Sequence, residues 1–186
     1  MPRFRRTIRP GDLVHVICRF INQEFRLTSS AERDEYLHRL GKGITDSDWR
    51  LLSYALMSSH IHLALVAGLD LFGRLFKTVN SPFSNWLNTR QVRLGPVFAG
   101  RPDSIITSPA LTGRLIAYHH NNPPRAHVVE VATDSDWTSH RAYMGRAACP
   151  EWLDVELGLE LMGFGSETGG RGDFERYVLD HKDNPR

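Results

Sequence analysis

The sequence contains few cysteines and few lysines, and it lacks a long apolar run. Its two cysteines, Cys18 and Cys149, form no Cys-x-x-Cys pair, so neither a disulfide framework nor a cysteine zinc site is expected. No apolar stretch approaches the roughly 20 residues of a transmembrane helix, and the opening residues MPRFRRTIRP lack the apolar segment of a secretory signal. We therefore expect a cytoplasmic protein without a membrane partner.

Lysine is scarce because arginine takes its place: only Lys42, Lys77 and Lys182 are lysines among the 23 basic residues. Residues 1–150 contain 19 Lys and Arg against 12 Asp and Glu, whereas residues 151–186 contain 4 against 9. Guanidinium groups bind phosphate in a bidentate geometry that ammonium groups lack. The basic part of the chain therefore favours a nucleic-acid partner, although the codon usage of a GC-rich genome gives the same arginine bias.

The chain is long enough for one domain, and its 41% hydrophobic residues can supply a core. Hydrophobic patterning predicts four strands and three helices in the order β-α-β-β-α-β-α. The first six elements match the split βαβ, or ferredoxin-like, motif, so we predict an α+β fold in which helices pack on an antiparallel sheet. The predicted strands are DLVHVICRF, RLLSYALM, HIHLALVA and Ile105 to Thr107.

Capping residues and prolines predict where the helices begin and end. A serine caps the first helix, a Ser-Pro pair opens the third and a proline ends it, while Pro82 is a point at which the second can break. The predicted bounds are a start at Ser29 or Ser30 for the first helix, about Leu69 to Arg90 for the second, and Ser108 to Pro123 for the third.

Charge and helix signals divide the chain into three parts. These are a basic N-terminal arm over residues 1–12, a domain over residues 13–147 and an acidic helical extension over residues 148–186. A Gly-rich joint precedes the last helix, which is predicted from Phe174 to Asp180. The extension is expected either to pack as helices with a solvated acidic face or to cover a basic groove in the free protein.

The stretch ALMSSHIHLAL, residues 55–65, places two histidines in an apolar run. Side chains alternate between the faces of a strand, so His60 and His62 share one face while Ile61 and Leu63 share the other. The two imidazoles are then close enough to bind one divalent cation. An isolated His-x-His pair is also consistent with two solvated residues on a strand surface, so a third ligand is needed to decide.

Tyr118 and Asn122 are four residues apart in LIAYHHNNPP, so they share one face of the third helix. A tyrosine hydroxyl can attack a phosphodiester and form a covalent phosphotyrosine, although a free tyrosine, with a pKa of about 10, is a weak nucleophile at neutral pH. A divalent cation on the phosphate supplies the missing activation, and imidazoles with an amide oxygen can hold Mg²⁺ or Mn²⁺. The alternatives are a core aromatic role for Tyr118 and a helix C-cap role for Asn122.

Several motifs occur together in one order along the chain: YALMSSHIHLAL, GPVFAGRPDSI, LIAYHHNNPPRAHVV and DSDWTSHRAYMG. In order and approximate spacing they resemble the motifs of the single-tyrosine HUH transposases. The branch that the sequence resembles is that of the REP-associated tyrosine transposases, and the resemblance extends from about Leu13 to Gly145. The typical patterns of that branch are M-P-N-H-V-H-L, G-P-x-F-Q-G-R, Y-I-H-x-N-P-V-R-A-G-L-V and W-S-S-H-R-A-Y.

The resemblance implies that His60 and His62 are metal ligands, that Tyr118 is the nucleophile and that Asn122 is the third ligand. Such enzymes cut single-stranded DNA beside a palindromic hairpin, leave a 5′-phosphotyrosine and a free 3′-hydroxyl, and share the ferredoxin-like fold. The expected function is therefore that of a transposase, a single-stranded DNA endonuclease and strand transferase that uses Mg²⁺ or Mn²⁺. Related enzymes occur as monomers and as homodimers that exchange their tyrosine helices, and the sequence is consistent with both.

Arginines are the candidates for contacts with DNA. Arg101 matches the arginine of the family's Gly-Arg pair, and Arg125 matches that of its Pro-x-Arg-Ala run. A structural salt bridge is the alternative for both. The basic arm adds Arg3, Arg5 and Arg6 as further candidates.

In a ferredoxin-like sheet the first and third strands are neighbours, which places His15 beside His60 and His62. We therefore expect His15 to support a metal ligand, or the phosphate, through a hydrogen bond. His119 stands where the family usually has an apolar residue, and it is interpreted as a further base or as an exposed helix residue. Asp103 replaces a common lysine and so removes a positive charge from a DNA-facing loop.

Two other functions are consistent with parts of the pattern. A catalytically silent binder of DNA or RNA hairpins would use the same basic face, but the complete set of site residues argues against it. A metal hydrolase would act without a covalent step and would not depend on Tyr118.

Overall fold

The computed structural model describes residues 7–165 and 168–182 of the chain. Within them, four antiparallel strands form a sheet in the order β2-β3-β1-β4, which is the strand order of the split βαβ motif. The α+β, ferredoxin-like fold expected from the sequence is confirmed. The arm residues Arg3, Arg5 and Arg6 lie outside the described residues. The strands are β1 (Leu13–Arg19), β2 (Arg50–Leu56), β3 (His60–Val66) and β4 (Asp103–Thr107).

Helices cover both faces of the sheet. The first two, α1 and α2, pack against each other on one face, while α3 packs on β2 and β3 at the other face and is joined there by α5 and α6. No helix in the described part of the chain combines the length and the apolar composition needed to cross a bilayer. The helices are α1 (Ser30–Thr45), α2 (Phe72–Arg90), α3 (Thr112–Arg125), α4 (His140–Tyr143), α5 (Val155–Leu161) and α6 (Thr168–Asp180).

The two-residue period of the strands produces two separate cores. In β3, Ile61 and Leu63 face the core beneath α1 and α2, whereas Ala64 faces the core beneath α3. The second core also contains Leu115 of α3 and Leu159 of α5. It therefore draws residues from both sides of the domain boundary predicted between residues 147 and 148, and that boundary stays a prediction.

The effect of proline on the helices differs from what the sequence predicts. Pro82 does not break α2, because buried residues on both sides of it keep one continuous apolar stripe. The third helix does not end at Pro123 but continues through Pro124 to Arg125. Both prolines lie in its last turns and are buried, so packing outweighs the lost backbone hydrogen bonds. Asn122 is consequently a helical residue and not a C-cap.

Two helix starts also differ from the prediction. The third helix begins at Thr112, after a 3₁₀ turn over Pro109–Leu111. The last helix begins at Thr168 rather than Phe174, within the Gly-rich stretch. Glycine allows this close packing, because a Cβ added to Gly170 would lie 2.0 Å from the carbonyl oxygen of Gly165.

The C-terminal extension packs against α3. Phe174 and Val178 of α6 are buried, and Asn121 of α3 donates a hydrogen bond of 2.7 Å to the carbonyl of Val178. The packed arrangement of the extension is thus the one observed. Its contacts hold in place the helix that carries Tyr118.

The start of α1 is stabilised by a buried carboxylate. Glu32 accepts hydrogen bonds from the backbone N–H groups of Thr28 at 2.6 Å and Ser29 at 2.8 Å, and from the side-chain amide of Gln91 at 3.0 Å. Burial by itself raises the pKa of Glu32, but these hydrogen bonds outweigh it and lower the pKa from 4.5 to about 2.

We predict that Glu32→Gln lowers the free energy of unfolding by about 1–3 kcal/mol at pH 7, because a charged acceptor is replaced by a neutral amide. The difference should be fully present above pH 4.5 and should shrink as the pH falls toward 2, where Glu32 becomes protonated. Urea unfolding of both proteins across this range measures it. Asp34→Asn, at an exposed position of the same helix, is the matched control. A difference that stays constant down to pH 2 would contradict the assignment.

Candidate active site

The histidine pair lies at the start of β3. His62 is buried and His60 is partly buried, and their ring centres are 4.7 Å apart with the ring planes nearly perpendicular. Ile61, between them, points into the opposite core, as the strand period predicts. Ser59 Oγ lies 3.0 Å from Nδ1 of His60, so the Ser-Ser turn before β3 gives this ring a hydrogen-bond partner.

The neighbouring strand brings a third imidazole to the pair. In the antiparallel register of β1 and β3, Ile17 lies opposite His62 and His15 lies opposite Ala64. The expected adjacency of the two strands is therefore observed. Nε2 of His15 lies 2.9 Å from Nδ1 of His62, within hydrogen-bond distance.

Burial keeps these rings neutral. Desolvation, reinforced by the charge of Arg19, lowers the pKa of His15 to about 4. Desolvation also lowers the pKa of His60 and takes that of His62 well below its usual value, with the nearby Arg19 acting in the same direction. A neutral imidazole is the form that ligates a metal ion.

The free nitrogen of His62 fits a metal ligand. Its Nε2 is buried and has no hydrogen-bond partner among the described residues. If Nδ1 of His62 donates its proton to His15, the lone pair resides on Nε2, where it is available to a cation. A neutral His15 can accept that proton, which leaves Nε2 of His62 as a ligand atom that a divalent cation would fit.

The third helix presents the predicted nucleophile to this cluster. The ring centre of Tyr118 lies 5.3 Å from that of His62 and 5.9 Å from that of His15. The Arg125 guanidinium lies over the Tyr118 ring, 5.7 Å from its centre. Asn122, one turn further on, donates a hydrogen bond of 2.9 Å from its amide nitrogen to the carbonyl of Tyr118. That bond uses the nitrogen of the amide and not the oxygen, the atom that would ligate a cation.

A cleft of about 800 Å³ opens beside the cluster. Of the predicted metal ligands, the described lining includes both histidines of β3 but not Asn122. The cleft arginine Arg19 forms an ion pair with Asp103, which neutralises a positive charge at the cleft. The polar side chains of the lining include His15, Arg19, His60, His62, Arg114 and Tyr118.

The predicted DNA-binding arginines are at the surface. Arg101 and Arg125 are both exposed, and neither forms an ion pair within residues 7–165 and 168–182. The salt-bridge alternative is therefore not seen for either residue in this part of the chain. Arg114, which the sequence did not single out, is exposed at the cleft one helical turn before Tyr118.

The burial of His119 differs from one of its two sequence-based interpretations. His119 is fully buried, with Nδ1 at 2.8 Å from Ser53 Oγ, so its interpretation as an exposed helix residue is wrong. Its ring centre lies 5.1 Å from that of His15 and 5.5 Å from that of His62. The sequence contains a signal that predicts this burial, because His119 lies three residues after Ile116 and so falls on the buried stripe of α3.

Comparison with known proteins supports the resemblance seen in the motifs. No protein-family model matches the sequence, and no curated protein matches it significantly. A solved structure described as a REP-associated tyrosine transposase bound to a REP hairpin aligns with a TM-score of 0.64 and 17% sequence identity. The alignment covers 83% of this chain and 93% of that one.

The chain has the fold of a REP-associated tyrosine transposase. The same transposase fold was expected from the motif order, so sequence and structure agree on it. At 17% identity the alignment establishes the fold, whereas any activity depends on the side chains at the cleft. Those side chains include a buried histidine cluster and, beside it, the half-buried Tyr118.

A second buried histidine pair lies deeper in the fold. His120 Nε2 is 2.8 Å from Ser139 Oγ, and its Nδ1 is 3.1 Å from Nδ1 of His140. Desolvation lowers the pKa of His120 well below its usual value and that of His140 to about 4. These two rings add to the buried imidazoles that the fold keeps neutral.

We predict that the metal-free protein loses stability as the pH falls from 6.5 through 4, because the unfolded chain binds protons that the buried imidazoles exclude. The free energy of unfolding should drop by at least about 2 kcal/mol between pH 7 and pH 5, the contribution expected from even one such group. Urea unfolding in EDTA measures it, and a comparison of pH 8 with pH 7 should show little change. Equal stability at pH 7 and pH 5 would mean that the rings carry charge in the folded protein.

Proposed function

We propose that this chain is a metal-dependent endonuclease and strand transferase that acts on single-stranded DNA through a phosphotyrosine at Tyr118. The observation that carries the proposal is the position of the Tyr118 ring, 5.3 Å from the ring of buried His62 in a cleft that arginines line. The oxygen of Tyr118 would attack the scissile phosphorus as its proton is lost. The new bond is a 5′-phosphotyrosyl ester, and the broken bond is that between phosphorus and the 3′ oxygen of the preceding nucleotide. Tyr118 gives up its proton to solvent, and the released 3′ oxygen takes one up from solvent to become the 3′-hydroxyl.

His60 and His62 would hold the cation, with the amide oxygen of Asn122 as the third ligand once its side chain turns toward them. When bound, Mg²⁺ or Mn²⁺ would neutralise charge on the scissile phosphate and make phosphorus more electrophilic. Two imidazoles and one amide oxygen leave room for the phosphate and water oxygens that these ions prefer.

Other residues would bind the DNA and orient the site. His15 would accept the Nδ1 proton of His62 and so hold the lone pair of that ring on Nε2. Arg125, whose guanidinium lies 5.7 Å from the centre of the Tyr118 ring, would contribute a positive charge that favours a DNA phosphate beside the tyrosine. Arg114 is positioned to contact a DNA phosphate at the cleft, and Arg101 and the arginines of the arm remain candidates for further phosphate contacts.

The proposed substrate is single-stranded DNA next to a hairpin. The solved transposase that shares this fold is described as bound to a REP hairpin, which supports the same class of partner here. The basic composition of residues 1–150 supports a phosphate-rich partner independently of that comparison. The protein would take part in DNA mobilisation, or in a cellular process for which a mobilisation enzyme has been domesticated.

We predict that Tyr118→Phe abolishes a covalent protein–DNA adduct that the wild type forms with Mn²⁺ and a single-stranded hairpin oligonucleotide, because phenylalanine has no oxygen to attack phosphorus. The oligonucleotides are drawn from repeats that flank the gene, and the adduct is read as a shifted band on a denaturing gel. EDTA should remove the band as well. Tyr177→Phe, at a partly buried tyrosine of α6, is the matched control and should keep the adduct.

The possible outcomes separate the proposal from its alternatives. Hairpin binding by the wild type without any adduct would indicate a catalytically silent binder. Cleavage that persists unchanged in Tyr118→Phe would indicate a metal hydrolase with no covalent step.

We predict that His15→Ala weakens Mn²⁺ binding by about 10–100-fold, because the His62 ring loses the partner that fixes its proton and orientation. His15→Gln should recover part of the affinity, since its amide oxygen can accept the same proton. The concentration of free Mn²⁺ in a titration, followed by electron paramagnetic resonance, measures both. His38→Ala, at an exposed histidine of α1, is the control. Wild-type affinity in His15→Ala would remove the positioning role from His15.

A further inference from the structure

Three imidazoles from three different elements converge beside the cleft. His15 of β1, His62 of β3 and His119 of α3 each offer one ring nitrogen, and these nitrogens all lie within 4.8 Å of one another. The ring centres form a nearly equilateral triangle with sides of 5.1, 5.1 and 5.5 Å. This set shares only His62 with the pair of β3. It lacks His60 and adds His15 of β1 and His119 of α3.

Two of the three rings carry a buried nitrogen without a partner. Nε2 of His62 and Nε2 of His119 form no hydrogen bond with the described residues, and the two side chains are 3% and 0% exposed. Buried polar atoms are seldom left unpaired, so each such atom calls for a ligand or a water. The two atoms belong to rings that are only 5.5 Å apart, which points to one shared ligand.

Ser53 prepares His119 for this role. Its buried Oγ lies 2.8 Å from Nδ1 of His119. If Oγ accepts the Nδ1 proton, the lone pair of the ring resides on the unpartnered Nε2. Metal-ligating histidines commonly bind a partner through their second nitrogen in this way, and the hydrogen bond fixes the orientation of the ring.

We propose that His15, His62 and His119 form a transition-metal site that binds Zn²⁺. Three neutral imidazoles are a set of nitrogen donors that suits Zn²⁺, whereas Mg²⁺ prefers oxygen ligands. With Zn–N distances of about 2.1 Å, three imidazoles on a tetrahedral ion have their ring centres about 5 Å apart, close to the triangle observed. The ion would draw the nitrogens themselves closer together, and the open side of the cleft would supply water as a fourth ligand.

The two candidate ion sites share His62. A neutral imidazole has one nitrogen lone pair, so His62 cannot ligate both ions without losing its second proton. The same limit applies to His15, whose lone pair either accepts the Nδ1 proton of His62 or ligates Zn²⁺. Binding of Zn²⁺ would therefore break the hydrogen bond of 2.9 Å between His15 and His62. Because both ions need His62, Zn²⁺ on the three histidines would compete with the catalytic ion. That consequence rests on the proposed function, whereas the binding of Zn²⁺ does not, so the site is tested by binding without DNA.

The test titrates the EDTA-treated full-length protein with Zn²⁺ in competition with a chromophoric chelator. His119→Leu should weaken Zn²⁺ binding by more than the roughly 100-fold that loss of an outer hydrogen-bond partner can cost, and Ser53→Ala by about 10-fold. His60→Ala, which leaves the three ligands intact, should bind Zn²⁺ within a few-fold of the wild type, as should the surface control His38→Ala. His15→Gln should also weaken Zn²⁺ binding, because the amide oxygen of glutamine is a poor substitute for the nitrogen ligand. This result differs from the partial recovery of Mn²⁺ affinity expected for the same variant.

Three results would overturn the proposal. They are a wild type without Zn²⁺ affinity, a His119→Leu variant with wild-type affinity, and a His60→Ala variant that loses as much affinity as His119→Leu. The last of these would place Zn²⁺ on the β3 pair instead. Failure of the proposed function is a separate result, because it is read from the Tyr118 adduct with Mn²⁺ and not from Zn²⁺ affinity.

A second measurement does not depend on the folding of any variant. Co²⁺ bound to the wild type should give the intense visible absorption of a four-coordinate ion with nitrogen ligands, and Zn²⁺ should displace it at one equivalent. The weak absorption of six-coordinate Co²⁺ would contradict the three-histidine site.

Discussion

The antiparallel pairing of β1 with β3 is the constraint on which the site depends. Its register places Ile17 opposite His62, and the same register brings Nε2 of His15 to 2.9 Å from Nδ1 of His62. A shift of one residue in either strand would exchange its two faces and send its histidine side chains into the core beneath α1 and α2. The apolar residues Ile61 and Leu63 prevent such a shift, because it would expose them on the other face.

The third helix is the second element that the site requires, and it is stabilised by residues far along the chain. Tyr118 and His119 are consecutive, yet one ring lies at the cleft and the other is buried against the sheet. The hydrogen bond from Asn121 to Val178 and the buried Phe174 join this helix to α6. The acidic extension thus packs against the helix that carries Tyr118.

Burial of the imidazoles links stability to chemistry. The same desolvation that lowers the pKa of His15 to about 4 and that of His62 well below its usual value keeps both rings in the metal-binding form. It also makes the fold sensitive to acid, since every excluded proton favours the unfolded chain. A fold with solvated histidines would resist acid better, but at low pH its imidazoles would be charged.

Local sequence determined the elements of this protein and the direction of several of its side chains. A period of two places His60 and His62 on one face of β3, and the order of strands and helices leads to the ferredoxin-like sheet, because both follow from short-range geometry. Only the tertiary structure decided what these side chains meet. The contact of His119 with Ser53, the pairing of Arg19 with Asp103 and the passage of α3 through Pro123 depend on contacts between distant segments. Local periodicity states which face a residue occupies, but the energy of burial and of ion pairing is set by the partner across the interface.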